Sequence, residues 1–345
     1  MSLNQELTKK FGKAISNNIK LSNYSWFNLG GPAEYFFKPE NKNQLIEFLK
    51  ESKKQNLKIT ILGAGSNTLI RDSGIKGAVI KLGPGFSKIN LISKDVIEVG
   101  AGILDRKISN FAKENSIGNL EFLSCIPGTI GGAVIMNSGC YGNDISKVLV
   151  SINAVDINEL VEKEIKSDEM KFFYRGTNLS DQLIITSVKL KGEIKSKETI
   201  ELKQNRFIEK KKLSQPSRIK TCGSTFKNLK NEKKAWQIIK ETGCDEFKVG
   251  DAGISKKHCN FFVNKGNAKF DDMIKRNGLD RKWPRMKSGH FTTNKKYIKQ
   301  NLHIEDLAKF NEIRTFQNMT KLTSYTPGND GRVRTSFNMF GTITG

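Results

Sequence analysis

Apolar positions in the first 82 residues alternate in some stretches and recur at helical spacing in others. Residues 34–37 alternate as a half-buried strand does, and residues 43–55 place their apolar side chains three and four positions apart. Residues 57–62 and 77–82 are short apolar runs of strand length. The pattern therefore predicts a β-α-β-β unit.

The following hundred residues continue with the same two periodicities. They predict strands at 96–99, 148–156, 161–165 and 183–190, and a helix at 104–115. A turn between the second and third of these strands predicts a hairpin.

A second region follows a charged run at residues 191–203, which indicates a boundary. Residues 205–212 predict a basic helix that ends before Pro216. A smaller unit at 218–267 then predicts a turn at Gly223, a helix at 235–242 and a strand at 260–264. Mixed helices and strands place the chain in the α+β class, and residues 304–316 predict one more helix.

Two glycine-rich stretches stand out against these elements, at residues 61–67 and 126–132. Each follows an apolar run and has glycine, which carries no side chain, at several nearby positions. Glycine allows positive φ and close backbone approach, so that successive N–H groups can converge on an anion. Two such stretches suit a large ligand that carries a diphosphate, although a single glycine turn more often just reverses the chain.

Neither common phosphate-binding motif is present in these stretches. Thr68 stands where a dinucleotide fingerprint needs its third glycine, and no acidic residue follows at the usual distance. Neither stretch ends in Gly-Lys-Ser or Gly-Lys-Thr, as a Walker-type loop would.

The bulk composition narrows the class of protein. The length of 345 residues predicts two or three domains, and no apolar run approaches the roughly 18 residues of a membrane helix. The polar first twenty residues carry no secretory signal pattern. The 5 cysteines are scattered without a Cys-x-x-Cys pair, which argues against a disulfide framework or a metal site and favours a cytoplasmic protein.

The formal net charge of +23 permits two interpretations. Lysine and arginine neutralise phosphates, so the chain could bind nucleic acid. The charge is spread along the whole chain, however, which favours a generally basic surface that helps to collect anionic nucleotides.

Three short segments carry candidate chemistry. Arg175, beside Tyr174, could clamp a carboxylate, or it could be a surface arginine beside a packed ring. Ser224, on a glycine turn, could donate a proton, although a turn-capping serine is the commoner meaning. His258 is one of 3 histidines, and a lone histidine is more often a packing residue than a ligand or base.

Eight short motifs occur in a characteristic order along the chain. They are NYSWFNLGGPA at 23–33, LGAGSNTL at 62–69, LEF at 120–122, IPGTIGGA at 126–133, MNSGCYG at 136–142, FYR at 173–175, GSTFKN at 223–228 and ISKKHCNFFVN at 254–264. Their order resembles that of the UDP-N-acetylenolpyruvoylglucosamine reductases of peptidoglycan synthesis, and the resemblance covers roughly residues 10–270.

This resemblance implies a two-lobed FAD-binding module of the p-cresol methylhydroxylase and vanillyl-alcohol oxidase type, followed by a smaller α+β substrate domain. The implied domains are residues 1–82 and 83–203 for the two FAD-binding lobes, 204–270 for a truncated substrate-binding domain, and 271–345 for a tail outside the family. FAD and NADPH are the implied cofactors.

The resemblance also implies roles for individual residues. Arg175 matches the family's active-site arginine, which stabilises negative charge as hydride adds, and Ser224 matches its proton-donating serine. Substrate contacts are implied for Tyr174, Lys227, Asn228 and His258. FAD contacts are implied for Gly63, Ala64, Gly65, Ser66, Asn67, Pro127, Gly128, Thr129, Gly131, Gly132 and Asn137.

The resemblance to the reductases ends near Phe270. The family carries a catalytic glutamate near its C-terminus, and neither Glu305 nor Glu312 stands in that context. Residues 277–289 and 330–345 resemble instead a family A DNA polymerase, but stop before any metal-binding aspartate. We expect turnover of the enolpyruvyl substrate to suffer more from this loss than flavin binding does.

Two other functions stay open from the sequence. One is a different FAD-dependent oxidoreductase of the same superfamily, and the other is a non-enzymatic nucleic-acid-binding fusion. The ordered motifs favour a reductase that binds a UDP-sugar and NADPH. We further expect a cytoplasmic protein that is a monomer and binds neither membrane nor nucleic acid.

Overall fold

The computed structural model describes residues 3–228, 233–246 and 248–275, together with the backbone strand at 332–334. The helices of the described residues are α1 Leu3–Phe11, α2 Lys42–Lys54, α3 Asp105–Glu114, α4 Ile130–Ile135, α5 Lys197–Ser214, α6 Ala235–Glu241 and α7 Phe270–Lys275.

The strands run from β1 to β19 along the same residues. They are β1 Ile15–Lys20, β2 Pro32–Phe37, β3 Ile59–Ile61, β4 Thr68–Ile70, β5 Ile75–Ile80, β6 Ile89–Leu91, β7 Val96–Gly100, β8 Ile117–Gly118, β9 Gly139–Cys140, β10 Asn143–Asp144, β11 Leu149–Asp156, β12 Glu162–Lys166, β13 Phe172–Phe173, β14 Gly176–Thr177, β15 Leu183–Lys191, β16 Glu193–Ile194, β17 Ala252–Ile254, β18 Phe262–Asn264 and β19 Arg332–Arg334.

The chain forms two compact units. The first comprises Met1–Lys20, Pro32–Ser66 and Ile75–Gln215, and the second comprises Leu21–Gly31, Asn67–Gly74 and Pro216–Gly345. Each unit has its own apolar core.

The first unit begins with a mixed sheet of order β1-β2-β5-β3. β1 pairs antiparallel with β2, whereas β5 pairs parallel with both β2 and β3. Helix α2 buries Leu45, Phe48 and Leu49 on one face. Asn41 is its N-cap, and the Asn41 side chain accepts a hydrogen bond from the Gln44 amide. The predicted β-α-β-β unit is confirmed, with β1 added at its edge.

A second sheet of the first unit has the order β12-β11-β15-β7-β6, and every pairing in it is antiparallel. It has a separate core built on Ile97, Val99, Ile152 and Val188, against which α3 and α4 pack with Ile108 and Val134. The predicted strands and hairpin of this region are confirmed. Two sheets with separate cores confirm the two-lobed α+β architecture.

The second unit is smaller. Strands β17 and β18 form an antiparallel pair, and β4 pairs antiparallel with β19. Its core joins Phe27 and Leu69 to Ile239, Ile254 and Phe262. The predicted helix at 235–242 and strand at 260–264 are confirmed, whereas the sequence pattern missed β17.

Two regions differ from the sequence prediction. The second glycine stretch is not a loop throughout, because Gly131 and Gly132 lie inside α4. The predicted basic helix at 205–212 is only the last part of α5, which starts at Lys197 and has Ser196 as its N-cap. α5 therefore runs without a break across residues 203 and 204, where a domain boundary was expected.

The four-part domain division stays a prediction. The tail helix predicted at residues 304–316 lies outside the described residues. No helix among the residues that the structure describes is long and apolar enough to cross a membrane.

Candidate functional site

The first glycine stretch leaves β3 in the parallel part of the first sheet and turns sharply. Gly65 has φ of 66°, a left-handed conformation that glycine adopts without strain. The Lys81 ammonium donates a hydrogen bond to the Gly63 carbonyl, and burial lowers the pKa of Lys81. Lys81, which directly follows β5, therefore holds the turn at the Gly63 carbonyl.

The two glycine stretches of the first unit meet at Ser66 and Pro127. Ser66 Oγ donates a hydrogen bond of 2.7 Å to the Pro127 carbonyl, across 61 positions of sequence. A Cβ placed on Gly63 would lie 2.8 Å from Thr129 Oγ1. The structure therefore brings together Gly63, Ser66, Pro127 and Thr129, which the sequence proposed separately.

A buried carboxyl lies directly beneath this junction. Asp105 begins α3, is 0% exposed, and neither of its side-chain oxygens has a hydrogen-bond partner among the described residues. Its backbone N–H donates to the Gly128 carbonyl at 3.1 Å, and a Cβ on Gly128 would lie 3.2 Å from Asp105 Oδ2. Burial raises the pKa of Asp105 well above its usual range.

Close approaches at Gly128 and Gly131 favour glycine along the second stretch. The Gly131 amide donates to the Ala101 carbonyl at 3.1 Å, and a Cβ there would lie 3.1 Å from the Ala101 side chain. Side chains at Gly63, Gly128 and Gly131 would crowd the junction that the bare backbone leaves accessible. A backbone without side chains at these positions allows close approach of a group with a diphosphate.

Arg175 sits at the tip of the short hairpin formed by β13 and β14. It has φ of 62°, and its guanidinium lies 5.2 Å from the Tyr174 ring. Arg175 Nη2 donates a hydrogen bond of 2.9 Å to the Gly139 carbonyl. The guanidinium is only half-buried, and the Tyr174 side chain is exposed.

Asn137 holds the same hairpin from the segment that follows α4. Its Nδ2 donates to the Phe173 carbonyl at 3.1 Å, and its Oδ1 accepts from the Ser146 amide at 3.0 Å. The residue is 7% exposed. The side-chain amide that the resemblance assigned to FAD therefore also positions the turn that carries Arg175.

The remaining candidate residues lie in the second unit. Ser224 is exposed and forms an antiparallel bridge with Phe261. The neighbouring Thr225 and Phe226 amides donate to Asn260, through its carbonyl at 2.7 Å and its Oδ1 at 2.9 Å. The buried Asn260 thus fixes the backbone on which Ser224 is presented.

Lys227, Asn228 and His258 lie in the same unit as Ser224. Asn228 Oδ1 accepts from the Ala235 amide at 3.1 Å and caps the start of α6. His258 Nδ1 accepts from the Asn260 amide at 3.2 Å, its ring packs on Phe261, and burial lowers its pKa. A neutral His258 is therefore favoured.

Asn67, also in this unit, is half-buried and directly precedes β4.

The sequence pattern missed several chemically notable side chains of the first unit. Asp105 has no motif around it, and its burial follows only from packing. Glu121 is 1% exposed, with Lys203 Nζ 3.2 Å from its Oε2.

Two family models match the chain. The FAD binding domain matches residues 33–162, and the C-terminal domain of UDP-N-acetylenolpyruvoylglucosamine reductase matches residues 215–276.

Proteins and a solved structure of the same name are similar over most of their length. The UDP-N-acetylenolpyruvoylglucosamine reductase of Pelagibacter ubique is 48% identical over 276 residues, which cover 78% of this chain and 91% of the relative. That of Orientia tsutsugamushi (strain Ikeda) is 42% identical, over 77% of this chain and 88% of the relative. The crystal structure of the reductase from Thermus caldophilus superposes with a TM-score of 0.68 at 31% identity, covering 75% of this chain and 92% of that one.

Proposed function

The chain belongs to the UDP-N-acetylenolpyruvoylglucosamine reductase family, and we propose specific roles for its residues in that reaction. The enzyme is an FAD- and NADPH-dependent oxidoreductase of peptidoglycan synthesis, which reduces UDP-N-acetylglucosamine enolpyruvate to UDP-N-acetylmuramate. The roles below rest on the resemblance of single residues and on the contacts described above.

The junction of the two glycine stretches is the proposed cradle of the FAD diphosphate. The hydrogen bond from Ser66 to the Pro127 carbonyl supports this role, because it holds the two stretches together. Backbone N–H groups there can donate to phosphate oxygens. A neutral Asp105 suits this place, since an ionised carboxylate would repel a diphosphate. FAD, when bound, relays hydride from NADPH to the substrate.

Arg175 is proposed to stabilise the negative charge that develops on the substrate as hydride adds. A guanidinium keeps its charge at any working pH and presents several donors in one plane. The bond from Nη2 to the Gly139 carbonyl uses one part of that plane and orients the rest. Tyr174, exposed beside it, is a proposed substrate contact.

Ser224 is proposed to donate the proton that completes the reduction. Its exposure leaves the hydroxyl accessible, and the hydrogen bonds of Asn260 to its neighbours hold the backbone in place. Lys227, Asn228 and His258 are proposed to contact the same substrate. A neutral His258 would donate or accept hydrogen bonds without adding charge.

The missing C-terminal glutamate is proposed to slow the second half of the reaction. Both glycine stretches that are proposed to hold FAD are present in this chain, so flavin binding should be preserved. Substrate turnover should then fall more than flavin reduction does.

An anaerobic visible spectrum of the purified full chain tests these roles in two steps. NADPH should bleach the flavin bands, and UDP-N-acetylglucosamine enolpyruvate should restore them slowly. Restoration at the rate of an intact relative such as the Pelagibacter ubique reductase would contradict the role given to the glutamate. Absence of flavin would contradict the proposed cradle.

Matched variants separate the two proposed catalytic groups. Arg175→Lys keeps the positive charge but loses the planar donors, and Ser224→Ala removes the hydroxyl alone. Both should leave bleaching by NADPH unchanged and slow the restoration by about a hundredfold or more. Restoration at the parental rate in either variant would contradict the role of that residue.

We further propose that the enzyme is a cytoplasmic monomer that does not bind nucleic acid. The even spread of the positive charge and the nucleotide nature of both ligands support the absence of nucleic-acid binding. Sedimentation and a salt titration with duplex DNA test it, since a basic DNA binder would show strongly salt-dependent complexes.

A further inference from the structure

Lys81 lies at the carboxyl edge of three parallel strands, beside the first glycine stretch. β5 lies between β2 and β3 and pairs parallel with both, so that Phe37 and Ile61 are each in register with Ile80. Lys81 directly follows β5, and Gly63 comes two residues after the end of β3. Residues beyond the carboxyl ends of parallel strands meet at one edge, where open sheets bind ligands. The topology thus places a lysine next to the proposed FAD cradle.

The sheet fixes the main chain on both sides of this contact. The Lys81 amide donates a hydrogen bond of 2.9 Å to the Phe37 carbonyl, and the Leu62 amide donates one of 2.9 Å to the Ile80 carbonyl. The parallel hydrogen bonding therefore continues one residue past the strands. As a result, the backbone that carries the Lys81 side chain and the backbone that leads into Gly63 are held together.

The Lys81 ammonium has no acidic partner. Lys81 is half-buried, its ammonium donates to the Gly63 carbonyl, and no carboxylate pairs with it among the residues that the structure describes. Burial and then the positive charge of Lys38 lower the pKa of Lys81. A partly desolvated cation needs a strong acceptor, and here a main-chain carbonyl takes the place of a carboxylate.

The bond from Lys81 determines which way the peptide between Gly63 and Ala64 faces. In a trans peptide, the carbonyl and the N–H point in opposite directions. Because the Gly63 carbonyl is turned to Lys81, the Ala64 N–H points to the other side. Ala64 is half-buried, and its amide donates to no group within the described part of the chain. The Ala64 N–H is therefore a fixed donor that can serve an external acceptor.

We propose that Lys81 is a positioning residue for the cofactor, which holds the Gly63 carbonyl and so keeps the Ala64 N–H directed at a phosphate oxygen of FAD. This inference rests on the proposed function and names one donor of the cradle and the residue that orients it. Gly63 has no Cβ to restrict rotation, so without Lys81 the peptide could turn its carbonyl oxygen towards the diphosphate. Two electronegative groups would then repel each other. The Lys81 charge also polarises the peptide and strengthens its N–H as a donor.

The amide resonance of Ala64 tests the proposal on the unaltered full chain. Protein with isotope-labelled alanine is freed of flavin, and heteronuclear NMR identifies the Ala64 signal by its loss in Ala64→Gly. FAD should move the Ala64 amide proton downfield, whereas riboflavin, which has the flavin ring without a phosphate, should not. Binding of FAD that leaves this proton unmoved would overturn the present inference alone. Absence of FAD binding would contradict the proposed cradle and this inference together.

Substitutions of Lys81 separate positioning from general damage to the fold. Lys81→Met removes the bond to the Gly63 carbonyl, so the Kd of FAD should rise about tenfold while that of riboflavin stays within about twofold. The response of the Ala64 amide to FAD should be lost as well. Lys81→Arg keeps a charged donor and should restore the Kd of FAD to within about threefold of the parental value.

Lys76→Met is the matched control, because Lys76 is exposed on the same strand and its replacement removes the same charge. It should leave the Kd of FAD within about twofold of the parental value. Parental FAD affinity in Lys81→Met would overturn the positioning role. Equal losses of FAD and riboflavin affinity in that variant, or equal losses of FAD affinity in Lys81→Met and Lys76→Met, would overturn it too.

Discussion

The side-chain amide of Asn137 donates a hydrogen bond to the main-chain carbonyl of Phe173 at 3.1 Å, across 36 positions of sequence. Two residues later, Arg175 returns a bond to the carbonyl of Gly139. The hairpin tip that presents the proposed catalytic guanidinium is therefore held at both ends by the segment that follows α4. The short β13–β14 ladder alone has two residue pairs and would not fix it.

Replacement of Asn137 by alanine should uncouple this hairpin. The variant loses two buried hydrogen bonds, and we expect the free energy of unfolding to fall by about 2–3 kcal/mol. Substrate turnover should fall with it, while flavin content changes little. Denaturant unfolding and flavin absorbance measure the two effects.

Asn90, exposed on β6, is the control for Asn137, and Asn90→Ala should change stability by less than about 0.5 kcal/mol. Loss of flavin with unchanged stability in Asn137→Ala would show instead that the amide contacts the cofactor.

Removal of the Ser66 hydroxyl should loosen the junction of the two glycine stretches. Ser66→Ala loses one hydrogen bond, worth about 1 kcal/mol, and leaves the Pro127 carbonyl without that donor. If the whole loss of about 1 kcal/mol falls on the FAD-bound protein and none on the free protein, the flavin dissociation constant rises about fivefold. Equilibrium dialysis against FAD measures it.

Ser93→Ala provides the comparison for Ser66, because Ser93 is exposed and bonds only locally, to Asp95 at 2.9 Å. Equal flavin affinity in Ser66→Ala and the parent would separate the junction from cofactor binding.

The buried Asp105 predicts a specific dependence of stability on pH. Burial raises the pKa of Asp105 in the folded protein above its value of about 3.9 in the unfolded chain. The folded state therefore keeps a proton that the unfolded state releases. The resulting stability is complete below about pH 4 and is lost as the pH rises through the folded pKa. Asp105→Asn cannot ionise and should lose less stability over that range.

The free energies of unfolding of the parent and of Asp105→Asn should therefore differ little at low pH. They should diverge towards neutral pH, where the variant should be the more stable. Denaturant midpoints between about pH 4 and 8 test this. Asp181→Asn, at an exposed position, should follow the parent at every pH. Parallel pH profiles for Asp105→Asn and the parent would contradict the neutral state of Asp105.

The ion pair of Glu121 with Lys203 should contribute more to the free energy of unfolding than exposed ion pairs do. Lys203→Met would leave the 1% exposed carboxyl of Glu121 without its ammonium, and we expect a loss of about 3 kcal/mol in thermal or denaturant unfolding. The double variant Lys203→Met with Glu121→Gln should recover much of that loss.

Lys189→Met is the matched control for Lys203→Met, because Lys189 pairs with an exposed Glu164 at 2.9 Å. This variant should lower the free energy of unfolding by no more than about 1 kcal/mol. Similar losses in both lysine variants would show that the buried carboxyl of Glu121 does not depend on its partner.

The sequence by itself determined the elements and the chemistry of the family. Period-two and period-3.6 patterns predicted the principal strands and helices, because the faces that they bury lie on single elements. Its ordered glycine motifs indicated a diphosphate ligand, and their resemblance to a reductase family indicated FAD, which the comparisons confirm. The roles given to single site residues remain proposals.

Tertiary structure alone decided which distant residues meet. Ser66 meets Pro127, and Asn137 meets Phe173, across many positions of sequence, and no local periodicity records such pairings. The burial of Asp105 likewise depends on α3 packing beneath the second glycine stretch. Local patterns specify faces of elements, whereas the partner of a polar side chain depends on how those faces pack.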